Sequence, residues 1–157
     1  MRPTLPSPPY RGGCLCGAVR YAYGARPMGV NACHCQDCKV LTGADYVKML
    51  IAAREHFTRE QGETDVFRKR ADSGREIDIH RCAHCGTRLW HEPLSAPALM
   101  FICAGTLDDS SWTIPASHIW AEKAAPGFVF ESDALIVHGQ PAERKTLWDA
   151  FDKLYPA

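Results

Sequence analysis

The sequence predicts a mainly β fold of small antiparallel sheets, closed near its C-terminal end by one helix. Three observations carry that reading. Short alternating runs of β-branched and aromatic residues recur between glycine and polar breaks, the pattern of half-buried strands. Only 143–154 has a marked apolar stripe at helical spacing, on Leu147, Trp148, Phe151 and Leu154. Seven of the eight cysteines form three tight clusters, Cys14-x-Cys16, Cys33-x-Cys35-x-x-Cys38 and Cys82-x-x-Cys85, and clusters of this kind staple small sheets.

Between Tyr10 and Tyr23, glycines and cysteines interrupt a β pattern, so 18–21 reads as a strand following a hairpin tip that carries Cys14 and Cys16. A strand at 30–35 delivers Cys33 and Cys35, and 36–41 suits a short helical turn ended by Thr42 and Gly43. Positions 45–52 read as a strand and 53–61 as a short helix closed by Gly62. The runs 64–69 and 76–80 both alternate. Ile77 and Ile79 face one way and Glu76, Asp78 and His80 the other, which predicts an antiparallel pair joined across Asp72, Ser73 and Gly74. Cys82 and Cys85 fall in a turn sealed by Gly86, with a strand at 87–91 and a fully buried one at 99–104 to follow. The helix at 143–154 should cover one side of the sheets.

With 157 residues and 46% hydrophobic composition, the chain can form one domain with its own core. Residues 1–9, with four prolines, read as a flexible, exposed N-terminal arm without the apolar stretch of a signal peptide. Residues 10–141 read as the domain, and 142–157 as the helical segment packed on it. Lysine plus arginine and aspartate plus glutamate balance at 18 each, so no overall field draws the chain to nucleic acid or an anionic membrane. No run reaches the roughly 18 apolar residues of a membrane span. A cytoplasmic location follows, and in reducing cytosol clustered cysteines favour metal over disulfides. Geometry agrees, because a disulfide between Cys14 and Cys16, or Cys33 and Cys35, would close a strained ring.

The cysteine spacing is that of zinc thiolate ligands, which approach the ion at about 2.3 Å in tetrahedral array. Seven ligands fall one short of two closed sites. Cys14, Cys16, Cys82 and Cys85 make a four-sulfur set that ties two distant hairpins, a structural role with no vacancy for substrate. Cys33, Cys35 and Cys38 supply three ligands, the pattern of a catalytic zinc with an open position. The competing reading fills that position with His34, His84, His91 or His118, giving an inert site. Iron at the four-sulfur set is a further alternative, disfavoured by the mixed spacing.

The run Gly13-Cys14-Leu15-Cys16-Gly17-Ala18-Val19-Arg20-Tyr21, with Cys33-His34-Cys35-Gln36-Asp37-Cys38, Gly43-Ala44, Cys82-Ala83-His84-Cys85-Gly86-Thr87, Gly105-Thr106-Leu107-Asp108 and Pro115-Ala116-Ser117-His118-Ile119-Trp120, resembles the glutathione-dependent formaldehyde-activating enzyme family. The resemblance runs from about Tyr10 to Pro141. It implies a β-tent similar to the Mss4-like zinc proteins, with two zinc ions per chain. One would be structural, on Cys14, Cys16, Cys82 and Cys85, and one catalytic, on Cys33, Cys35 and Cys38. It also implies a carbon–sulfur lyase that adds a thiol such as glutathione to formaldehyde or a related aldehyde, as an S-(hydroxymethyl)glutathione synthase does. A small-molecule thiol and an aldehyde are then the expected partners, and the oligomeric state stays open. One departure is visible: Pro126 is followed by Gly127 before Phe128, where family members often carry the aromatic residue directly after proline. The family also reaches to a centromere-associated protein, so the fold alone does not fix the activity.

Other residues read more simply. Gln36 and Asp37 are expected to cap the turn that follows Cys35. His34 should turn its ring away from the sulfurs of its neighbours. Arg68, Lys69, Arg70, Arg75 and Arg81 read as a solvated basic run, Cys103 as a buried inert thiol, and Trp90, Trp112, Trp120 and Trp148 as core or cleft walls. Two readings compete with the enzyme: a zinc-stabilised binding module or glutathione carrier without turnover, and a redox sensor built on the Cys33 cluster.

Overall fold

Residues 3–157 are described by a computed structural model; Met1 and Arg2 of the expected arm lie outside the described residues. The strands are β1 (Tyr10–Gly13), β2 (Arg20–Tyr23), β3 (Gly29–Cys33), β4 (Val47–Ala53), β5 (Phe57–Gln61), β6 (Thr64–Arg70), β7 (Glu76–Cys82), β8 (Arg88–Pro93), β9 (Leu99–Cys103), β10 (Ser117–Ile119) and β11 (Leu135–Ile136). Two α-helices accompany them, α1 (Gln36–Thr42) and α2 (Lys145–Leu154). The fold is mainly β. No described helix is long and apolar enough to cross a membrane.

The chain divides into two compact units. One is built from Pro6–Pro27 and Ile51–Ser110. It holds the antiparallel sheet β1-β2-β5 and a second run of strands ordered β9-β8-β7-β6, with the last residues of β4 beside β9. The expected pairing of β6 with β7 is present, with Phe67 opposite Ile79 and Arg68 opposite Asp78. Inside this unit Tyr21, Phe57 and Trp90 pack ring to ring, at 5.4 Å for Tyr21 with Phe57 and 4.8 Å for Phe57 with Trp90.

That cluster explains one correction. The stretch 53–61, read as a short helix, forms a single 3-10 turn at Arg54–His56 and then the strand β5. Its one buried apolar residue is Phe57, so a helix would have no stripe to bury. Pairing with β2, Tyr23 opposite Phe57 and Ala22 opposite Thr58, satisfies the backbone and delivers Phe57 to the core.

The other unit comprises Met28–Leu50 and Ser111–Ala157 with the extreme N-terminal segment. Its strands run β11-β10-β3 and then the first half of β4. The mainly β fold of small sheets is present, and this sheet is mixed, since β10 pairs in parallel with both β3 and β11. Parallel neighbours need long connections, and each pair here is separated by at least fifteen residues of chain. The helix α2 packs its buried Leu147 and Phe151 toward β3 and β10. Just beyond it, the Tyr155 hydroxyl donates to the Trp112 carbonyl at 2.5 Å and accepts from the Ile114 amide at 2.8 Å, which anchors the C-terminal end.

Candidate metal centre

The first cysteine set is assembled from two hairpin tips of one unit. Cys14 and Cys16 lie between β1 and β2, while Cys82 ends β7 and Cys85 sits in the turn before β8. One sulfur from each of the four lies within 4.8 Å of the others, with Cys14 to Cys16 at 3.5 Å and Cys16 to Cys82 at 3.9 Å. Both tips are closed by glycine in the left-handed region, Gly17 at φ 78° and Gly86 at φ 76°. A side chain there would be strained, so these glycines let the chain turn sharply after the second cysteine of each pair.

Backbone amides point at the sulfurs. Val19 donates to Cys14 at 3.2 Å, and the His84 and Cys85 amides each reach Cys82 at 3.4 Å. Such donors stabilise negative sulfur and orient it. The Thr87 hydroxyl 3.1 Å from Cys85, then nearby amides, pull that exposed thiol down to about 5. Burial works against Cys14, but the Val19 amide, Cys16 and Cys82 still lower it. Cys16, despite the favourable Ala18 amide, is pushed up to about 12 by burial and by the adjacent sulfurs. Amides and the Thr87 hydroxyl thus favour negative sulfur at Cys85 and Cys14 while crowding opposes it at Cys16, and a shared cation would relieve that crowding.

The second set lies wholly in the other unit and within six residues of chain. Cys33 is the last residue of β3, Cys35 is the N-cap of α1, and Cys38 stands in its first turn. The three sulfurs lie within 4.8 Å of one another, and all three residues are half-buried. The cap is Cys35 itself, whose sulfur accepts from the Cys38 amide at 3.4 Å, so capping by Gln36 or Asp37 is corrected. Hydrogen bonds with Cys35 and Cys38, reinforced by burial, push the Cys33 thiol far up. Three sulfurs this close cannot all carry charge unless a cation joins them.

Among the described residues, no histidine or carboxylate joins either set at that spacing. His34 and His118 instead face each other. Both are fully buried, with His34 Nε2 2.8 Å from His118 Nδ1, and His118 Nε2 2.5 Å from Glu131 Oε2. The His34 ring also meets Tyr46 at 5.4 Å, Phe128 at 4.7 Å and Phe130 at 5.7 Å. Burial, followed by His118, lowers the His34 pKa and keeps the ring neutral. This cluster escaped the sequence reading. His34 and His118 sit inside recognisable motifs, but nothing local marks Glu131, Phe128 or Phe130 as their neighbours.

The remaining candidates have ordinary surroundings. Arg68 forms a bidentate pair with Asp78 at 2.8 and 2.9 Å on an exposed strand. Cys103 is buried, its pKa raised by burial despite the nearby Arg88 guanidinium. Trp90 and Trp112 are buried, whereas Trp120 and Trp148 are half-exposed.

Comparison with known proteins adds two findings. A family model described as glutathione-dependent formaldehyde-activating enzyme matches residues 9–123. Among solved structures, a Rhodobacter sphaeroides protein is similar at 20% identity, over 62% of this chain and 87% of that one, with a TM-score of 0.49.

Proposed function

This chain belongs to the glutathione-dependent formaldehyde-activating enzyme family, and from that premise we propose that it is a zinc-dependent carbon–sulfur lyase working at Cys33, Cys35 and Cys38. In the forward direction the sulfur of glutathione bonds to the carbon of formaldehyde, and the thiol proton ends on the former carbonyl oxygen, giving S-(hydroxymethyl)glutathione. The reverse reaction breaks the same bond. Cys14, Cys16, Cys82 and Cys85 would hold a second zinc whose task is structural.

The observation that carries the division of roles is the difference between the two sets. Four sulfurs from two hairpin tips complete a tetrahedral shell, whereas the three sulfurs around the start of α1 leave one position for an incoming group. The donors fit zinc in both places: soft sulfurs, with amide donors that favour thiolate. Bound at the three-cysteine set, zinc would supply Lewis acidity at that one position, either favouring the thiolate form of glutathione or polarising the aldehyde oxygen. The chain's own part is placement. Cys35 fixes the helix start by capping it, which holds Cys38 one turn from Cys35 itself. The half-buried ligands leave the set accessible to a small aldehyde and a thiol.

The deciding experiment is metal content by mass spectrometry together with NMR exchange of glutathione with formaldehyde. Two zinc ions per chain and accelerated exchange support the lyase. Two zinc ions without any acceleration would overturn it in favour of a zinc-stabilised binding module.

A further inference from the structure

The chain Glu131–His118–His34 has a direction. An ionised carboxylate only accepts, so at 2.5 Å the His118 Nε2 must carry the hydrogen. Donation in the opposite sense, from His118 Nδ1, would leave an N–H on the His34 Nδ1 buried without an acceptor, so the geometry makes His118 Nδ1 the acceptor and His34 Nε2, 2.8 Å away, its donor. The hydrogen of His34 is thereby fixed on Nε2. Its Nδ1 is left bare, and that atom is buried without a hydrogen-bond partner. His34 in turn stands between Cys33 and Cys35, and its own amide donates to the Ile119 carbonyl at 3.1 Å. The ring and backbone of one residue therefore tie the ligand-bearing segment to β10. Phe128 and Phe130 close over both imidazoles, at 4.7 Å for Phe128 with His34 and 4.9 Å for Phe130 with His118.

Glu131, Phe128 and Phe130 all lie beyond the stretch 9–123 that matches the family model. We propose that Glu131 is a positioning residue for the three-cysteine centre: acting through His118, it locks the His34 ring in one tautomer and one orientation, and so holds Cys33 and Cys35 in metal-binding geometry. This inference rests on the proposed metal site and adds the part of the chain that keeps it in shape. Direct hydrogen-bonded partners of a metal ligand commonly govern affinity by about 10- to 100-fold; Glu131 acts through two imidazoles and the backbone of His34, so its effect belongs at the lower end of that range.

The test uses the full chain loaded with cobalt, whose sulfur-to-metal absorption reports each site, and nitrogen-15 NMR of the histidines. In the wild type, His34 should show hydrogen on Nε2 alone. Glu131→Ala should mix the two tautomers and weaken metal at the three-cysteine site by about tenfold or more, with the four-cysteine site unchanged as an internal control. Glu131→Gln keeps an oxygen acceptor and should restore both the tautomer and most of the affinity, whereas Glu131→Met, which keeps the bulk without the acceptor, should restore neither. Wild-type His34 with hydrogen on Nδ1, or equal affinity in the wild type and Glu131→Ala, would overturn the inference while leaving the metal site standing. Absence of cobalt at the three cysteines in the wild type would overturn the proposed function and this inference with it.

Discussion

Cys35 performs two tasks with one sulfur. It accepts the Cys38 amide as the cap of α1 and belongs to the three-sulfur set. Serine keeps the first task and loses the second, since its hydroxyl is a strong cap and a poor ligand. Cys35→Ser is therefore expected to stay folded, with one zinc fewer per chain, as circular dichroism and metal analysis will show. Cys35→Ala should lose the metal and also weaken α1 by about 1 kcal/mol. At this scale the sequence was highly legible, because ligand spacing is local: a strand end, a cap and a first turn bring 33, 35 and 38 together. Glu131 was not legible. Its contact with His118 depends on the path of the chain through Phe128 and Phe130, for which no residue pattern speaks.

At the scale of elements, the two hairpin tips behave as a single structural feature. Neither tip has a core of its own, and isolated two-stranded hairpins are marginal in water. Their four sulfurs join residues far apart in sequence, so a missing ligand costs fold as well as metal. Cys82→Ser is expected to unfold this unit or leave it open to proteolysis, in contrast to Cys35→Ser. Equal stability of the two variants in a thermal melt would contradict the assignment of roles. Strand alternation made β6 and β7 readable, the turn at Cys82–Cys85 introduced β8, the apolar run at 99–104 marked β9, though Leu99 and Phe101 are half-buried rather than fully buried, and the apolar stripe marked α2. The error at β5 arose because 54–61 has weak local preference, and pairing with β2 decided the outcome. The parallel pairings of β10 were hidden for a related reason, since register between strands distant in sequence leaves no mark on either strand alone.

For the whole molecule, charge is balanced in number but not idle in placement. Arg68 holds the Asp78 carboxyl below its ordinary value of 3.8, Arg20 does the same for Asp108, and His80 lowers Glu92 from 4.5. A carboxyl with a lower pKa in the folded state stabilises the fold above its unfolded value, and that contribution disappears as pH falls through the folded value. Stability from these three groups should therefore be intact near neutrality and decline below about pH 4.5. Asp108→Asn should flatten the acid limb of a plot of melting temperature against pH, most visibly at low salt, because the Arg20 pair is partly exposed. An unchanged acid limb would show that this pair does not contribute. The division into two compact units, each with one complete cysteine set, was not visible beforehand. It follows from which contacts the folded chain makes.

The two sets differ most in how much chain must be gathered before each exists. Cys33 to Cys38 is a span of five residues, while Cys16 and Cys82 are 66 apart. On loop-closure entropy alone the longer set costs about 2 kcal/mol more to close. The short set can capture a metal ion while most of the protein is still unstructured, whereas the long one must wait until residue 85 has joined the chain and both hairpins have formed. Zinc added to the unfolded, metal-free protein should fill the three-cysteine set first, as two separable phases in a rapid-mixing experiment with cobalt. During synthesis, the centre assigned to chemistry would then be equipped before the one that stabilises the fold.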